Sequence, residues 1–299
     1  MQVRIMHLSK NFVKAKNPCS SGYRWFLRDQ NGQGDYQEIL DALVAAGRVG
    51  DACWLLDQFG PTDIVLKLDD LEADAIVFSG RIETRMGLRV DTVLRAGAGI
   101  RCGGGIRAGT ELIAGGDIQA DGGISCGGHI RAEGDIIAGW GIEAGSRLEC
   151  GGLLRAGWDI EAGQGVDVTG EVRAGQHFTV NGSITCGQGV RAGGQVRAGH
   201  DIRVERGIQA GGSIVAGNHL EAGWGMLAGS DIVADGTIRA GEGLMAAGDI
   251  VSGTGHGIYA GLRVRLDAWA DAARVMARTK PATLISGHWC GTPAFGLPL

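Results

Sequence analysis

The sequence predicts a mainly β chain: a parallel β-helix, or solenoid, of hexapeptide repeats with a small α-helical N-terminal domain and a C-terminal cap. Three observations carry this reading. From Ile76 to Ile250 every sixth residue is apolar, thirty positions in a row without insertion or deletion. Two residues after each of these except Ile76, which is followed by Phe78, stands a small residue, mostly Ala and otherwise Cys, Val or similar, so that positions one and three alternate inward as in a short strand. The fourth position is usually Gly, as among Gly97, Gly103, Gly109 and Gly115, which marks a regular corner after each strand. A glycine-rich period of six fits neither the 3.6 nor the 3.5 helical repeat.

The chain divides by pattern into residues 1–75, 76–256 and 257–299. In the first part Asn17-Pro18 opens a helix through Tyr23, Trp25, Phe26 and Leu27. A second helix starts at Asp35, carries Tyr36, Ile39, Leu40 and Leu43, and stops near Gly47. A third spans Val49 to Phe59 and ends at Gly60-Pro61. From Thr62 to Phe78 the apolar residues follow an extended pattern that leads into the first coil. Helices at this point are expected to cover the open end of the solenoid, which would otherwise template strand addition.

Within the repeat, the corner position also holds Asp121, Asp235 and Asn181, residue types that tolerate a left-handed backbone, so the chain is expected to turn there. Glu133, Glu205 and Thr169 occupy the same position, so positive φ is not demanded at every corner. Resemblance to known hexapeptide β-helices implies three repeats per coil, so the thirty repeats are expected to make ten coils, a rod on the order of 48 Å long at the spacing of paired strands. After Ile250 the phase breaks: His256 takes the next apolar position, Leu262 to Leu266 alternates as a strand, and 269–279 reads equally as a short helix or a strand pair. Thr283 to Trp289 reads as a final strand, so this segment is a C-terminal cap.

Four of the seven cysteines, Cys102, Cys126, Cys150 and Cys186, stand at the inward third position and read as small buried thiols of a reducing, cytoplasmic protein. There is no Cys-x-x-Cys pair, hence no expected metal or cofactor. No run of eighteen apolar residues and no secretory leader are evident, so no membrane is expected as a partner. A net charge of −5 gives no case for nucleic acid.

Residues eighteen apart should stack in columns. One outward column then carries Arg101, Gln119, Ile137, Arg155, Arg173, Arg191 and Gln209. Like charges about 5 Å apart repel, and Glu149, Asp167, Glu143 and Glu161 on the other two columns are the expected acidic neighbours. Trp140 and Trp158, beside a corner, should stack near the arginines, with Trp224 on another edge. Exposed Trp beside Arg is the composition of an interface centre, so the candidate partner-binding residues are Trp140, Trp158, Arg155, Arg173, Arg191 and Trp224. His129, His177, His200 and His219 are scattered and read as surface residues.

The I-x-A-G-x-x unit resembles the hexapeptide repeats of left-handed β-helix acyltransferases and the glycine-rich repeats of bactofilins, which are bacterial cytoskeletal polymers. The stretch Cys19-x-x-Gly22-x-x-Trp25 resembles a small helical module of phage and toxin-associated bacterial proteins. The capped, rigid architecture is similar in style to immunity proteins of type VI secretion effectors. What these resemblances imply is a non-enzymatic interaction protein, an immunity protein or inhibitor that binds a toxin effector such as a nuclease, as a monomer or discrete homodimer. A bactofilin-like scaffold that polymerises is the alternative, and a hexapeptide acyltransferase a third reading, which the absence of an inserted loop disfavours.

Overall fold

In the computed structural model, which describes residues 6–293, three parallel sheets wrap one continuous core. Each coil contributes one short strand to each face. The first face has thirteen strands, the second eleven and the third twelve. The register is strict: Leu154 pairs with Val172, Val172 with Val190 and Val190 with Ile208, each step being one coil of eighteen residues. First-position and third-position side chains alternate inward with the outward residue between them, and the core runs unbroken from Phe78 to Ala277. Phe178 is the one aromatic among the thirty first positions and is wholly buried. No coil could bury such a face alone; stacking makes the core.

Segments outside the thirty repeats also join the ladders, so the solenoid is longer than ten coils. Val65–Leu68 pairs with Arg81–Thr84 and Leu71–Ala73 with Leu88–Val90, so the first coil begins before Ile76. At the far end, Ile258 continues the third face after Ile238, and Val275 continues the first face after Leu244. Twelve steps between thirteen strands give a first face about 58 Å long. The undecided segment resolves as a short helix, Trp269–Ala272, followed by the strand Arg274–Met276. The final stretch is two strands, Leu284–Ser286 on the third face and His288–Gly291 on the first, divided at Gly287 with φ 134°. Leu262–Leu266 is not a strand. Gly261 at φ 75° turns the chain off the ladder, and Leu266 is 93% exposed.

The corner glycines have a different cause from the one their type suggests. Between Ile76 and Ile250 none has positive φ; the described positive-φ glycines all lie before Ile76 or after Ile250. Instead, a Cβ at Gly157 would stand 2.1 Å from the carbonyl oxygen of Gly139 one coil earlier, and one at Gly115 would stand 2.1 Å from that of Gly97. The corners of successive coils nest, and glycine lets them approach. Where a side chain occupies the position it points to solvent and the ladder bond persists, as with Thr169 N–H to Cys150 O at 2.9 Å and Asn181 N–H to Ala162 O at 3.0 Å.

Ahead of the solenoid lie α1 (Lys10–Lys14), α2 (Ser20–Asp29), α3 (Tyr36–Ala45) and α4 (Val49–Phe59), with a small antiparallel pairing of His7–Ser9 and Gln33–Asp35. Asp35 caps α3 by accepting from Gln37 N at 2.9 Å. The helices pack on the start of the third face through Val77, which belongs to their core rather than the solenoid's. Gln37 acts there as a substitute strand. Its amide nitrogen donates to Val77 O at 3.2 Å, and its oxygen accepts from Ser79 N at 2.8 Å. That satisfies the backbone of an edge strand on this face, as the need to cover an open end requires.

Candidate functional site

The outward column of the first face reads, coil by coil, Arg101, Gln119, Ile137, Arg155, Arg173, Arg191 and Gln209, and continues as Leu227 and Met245. It therefore changes from cationic to apolar along the rod. The acidic relief for the arginines comes from a residue on their own face. Glu171, in the corner that leads into this face, accepts from Arg173 at 2.6 Å and lies 3.6 Å from Arg191. The hydrogen bond from Arg173 holds the Glu171 carboxyl below the usual carboxylate range, against a smaller opposing effect of burial. The expected neighbours are engaged elsewhere or unpaired. Glu149 meets Arg147 at 2.8 Å, Asp167 meets Arg147 at 3.5 Å, and Glu143 stacks on Glu161 on the second face. The sheets diverge by their faces, so these side chains turn away from the arginine column.

Trp140 and Trp158 stand on the corner that leaves the first face, consecutive in the column, with Trp158 N–H donating to Trp140 O at 3.2 Å. They are 66% and 62% exposed. Trp224 stands on the opposite margin, in the corner that enters the first face, and is 51% exposed with the Arg206 guanidinium 5.5 Å from its ring centre. Beside it an open groove of about 720 Å³ runs across the coils. It gathers Arg173, Arg191 and Trp224 of the candidate residues; Arg155, Trp140 and Trp158 lie outside it. The groove adds Arg206, Leu227 and Met245, which sequence reasoning did not single out. The signal was available: Arg206 stands eighteen residues before Trp224, so one coil separates them in a column.

A second feature was also missed. Polar residues at the sixth position bind the backbone of the next coil at the same corner. Asp117 accepts from Asp135 N at 2.9 Å, Asp135 from Leu153 N at 2.7 Å, and Asp159 from His177 N at 2.8 Å. His177 and His219 serve the same role through Nδ1, accepting from Gln195 N and Thr237 N, each at 3.1 Å. The dispersed histidines thus include two that tie coils together.

The inward cysteines are buried, and burial pushes the thiols of Cys126 and Cys186 up and that of Cys150 up to about 11. Among the described residues no group of His, Cys, Asp and Glu is placed to hold a metal ion, and no helix is long and apolar enough to cross a membrane.

In the helical region Cys19 caps α2, its sulfur accepting from Gly22 N at 3.2 Å. A Cβ at Gly22 would meet that sulfur at 3.1 Å and Asp51 Oδ1 at 3.3 Å, which accounts for glycine three residues after the cysteine. Trp25 is buried in the helical core, whereas Cys19 is exposed. Neither a curated protein nor a solved structure matches the chain. Residues 6–60, the unit built from these helices, match the family described as the YdhT N-terminal domain.

Proposed function

We propose that this chain is a non-enzymatic interaction protein whose first face docks a protein partner, and that the partner is a toxin effector which the chain inhibits in the cytoplasm. The observation that carries the docking reading is the juxtaposition of Arg191, Arg206 and Trp224 around one open groove on a rigid sheet. Trp and Arg are the side chains that most often supply the energy of protein interfaces. A solenoid presents them with little backbone-ordering cost, because the ladders already fix their spacing. The toxin reading rests on the Cys19-x-x-Gly22-x-x-Trp25 resemblance to toxin-associated modules.

Co-expression with the product of the adjacent gene tests this proposal. Growth rescue and a co-purifying complex are expected, weakened by substitutions at Trp224 and Arg191. Rescue without a complex, or no rescue, rejects toxin inhibition. A polymerising scaffold is favoured by a separate observation: the first strands of the first and second faces, Val65–Leu68 and Leu71–Ala73, each end their sheet. Light scattering after size exclusion separates the two, since concentration-dependent filaments contradict a discrete inhibitor.

A further inference from the structure

We propose that the groove beside Trp224 takes an extended segment of the partner in which large apolar residues stand two and four positions from an acidic one, on the same side of it. This rests on the reading of the first face as a protein-docking surface and specifies what it recognises.

The floor of the groove is backbone. Gly189, Gly207, Gly225 and Gly243 occupy the sixth position of four successive coils, and all are partly exposed. Side chains rise on both margins. On one stands the outward column, Arg191, Gln209, Leu227 and Met245; on the other stands the corner column, Gln188, Arg206, Trp224 and Glu242. The trough is therefore about 14 Å long over three coil steps, and its margins, three residues apart in each coil, are at most about 10 Å from one another, which suits an extended chain rather than a helix about 10 Å across.

Charge sets the polarity of the occupant. At one end, Glu171 is committed to Arg173 by its short contact and only reaches Arg191 at 3.6 Å. Among the described residues Arg206 makes no ion pair; it lies over the Trp224 ring, which leaves the donors at the guanidinium edge open. The three guanidinium groups of Arg173, Arg191 and Arg206 outnumber the single Glu171 carboxylate at this end of the groove, which favours a further carboxylate there. At the other end Glu242 has no basic partner among the described residues, and Asp271 is paired with Arg274 at 3.0 Å, so a second carboxylate is disfavoured there. Between the ends, Trp224, Leu227 and Met245 supply an apolar surface one and two coils beyond Arg206. An extended peptide advances about 6.6 Å per two residues and shows alternate side chains on one side, so its second and fourth residues away from the acid reach that surface.

Selection of a displayed random-peptide library on the immobilised full chain tests this directly. The expected consensus is an acid with apolar residues two and four positions away on one side, in one chain direction, absent when the same selection is run on Trp224→Ala. A dye-labelled Glu-Gly-Leu-Gly-Phe peptide, or its reverse where the selected consensus runs that way, titrated by fluorescence anisotropy, should bind Trp224→Ala and Arg206→Glu at least about tenfold more weakly than the parent. Lys in place of its Glu should abolish binding to the parent and restore binding to Arg206→Glu. Unchanged circular dichroism establishes that the variants are folded, since both side chains are exposed. A consensus without an acid, retention on Trp224→Ala, selection of small carboxylates alone, or self-association through the groove each overturns the proposal. Its failure is separable from that of the docking reading. If a partner complex forms and is weakened by Trp224→Ala, but the library yields no acidic consensus, only the groove's peptide specificity falls. If the peptides bind as described and no toxin complex forms, only the toxin reading falls.

Discussion

Phe178 offers the sharpest test of how the core is held. Its ring is fully buried on the second face between Ile160 and Val196 of the neighbouring coils. Phe178→Ala removes most of that ring from a site whose walls cannot move in. The backbone on either side is fixed by the ladder, with Phe178 N–H donating to Gln195 O at 2.8 Å. Truncations of this type cost about 3–5 kcal/mol, and a site that resists collapse belongs near the upper end. Because stacked repeats couple only to their neighbours, the loss should appear first as local opening of the coils around residues 160–162, 178–180 and 196–198. Urea unfolding followed by circular dichroism gives the total, and native-state hydrogen exchange gives the location. Phe178→Leu, which keeps most of the volume, should cost less than about 1.5 kcal/mol. A change under about 1 kcal/mol for Phe178→Ala, or equal costs for the two variants, would refute the tightly packed core.

Thiol reactivity should divide by position. Cys19 and Cys290 are exposed and should react with a disulfide reagent at about pH 8, while Cys102, Cys126, Cys150 and Cys186 should react only after unfolding. Fast modification of the buried four would contradict their placement. Glu171→Gln should remove part of the acid sensitivity of stability. The native carboxyl is held below its ordinary value, so the pair stabilises the fold above the unfolded carboxyl's range and loses that contribution as pH falls through the lowered native value. For a partly exposed pair the effect is below about 1 kcal/mol, read as a flatter denaturation midpoint between about pH 6 and pH 3; an unchanged slope contradicts it. Asp201→Ala should cost about 1 kcal/mol and speed exchange at the His219 amide, because that carboxylate accepts from His219 N at 3.1 Å and from Asn218 Nδ2 at 2.9 Å. Unaltered exchange would remove the corner ladders from the account.

Much of the architecture is legible in the sequence because a solenoid is nearly one-dimensional. The period of apolar residues specifies the inward face of each strand, and the three main helices follow from Asn17-Pro18, Asp35, Gly47 and Gly60-Pro61. The places where the reading failed share a cause: they depend on the coil above or below. Residue type suggests that corner glycines serve left-handed turns, but their role is set by a carbonyl one coil away. Glu171 sits outside the outward columns, so column-by-column reading assigned the arginines to the wrong acids. The extra coils were hidden because Val65–Leu68 and Arg274–Met276 join the ladders with spacings other than eighteen. Of the candidate residues, the columns placed Arg155, Arg173 and Arg191 on one face and Trp224 on another edge than Trp140 and Trp158, but only the folded corner shows the groove that Trp224 and Arg206 share with Arg173 and Arg191.

The most direct test of the first face as the docking surface is hydrogen exchange of the complex with the adjacent gene product, compared with the free chain. Protection should concentrate on the first face between Arg173 and Arg274, with Trp224 and its flanking corners at the centre. Protection confined to the second face or to α1–α4, with the groove exchanging as in the free chain, would contradict it.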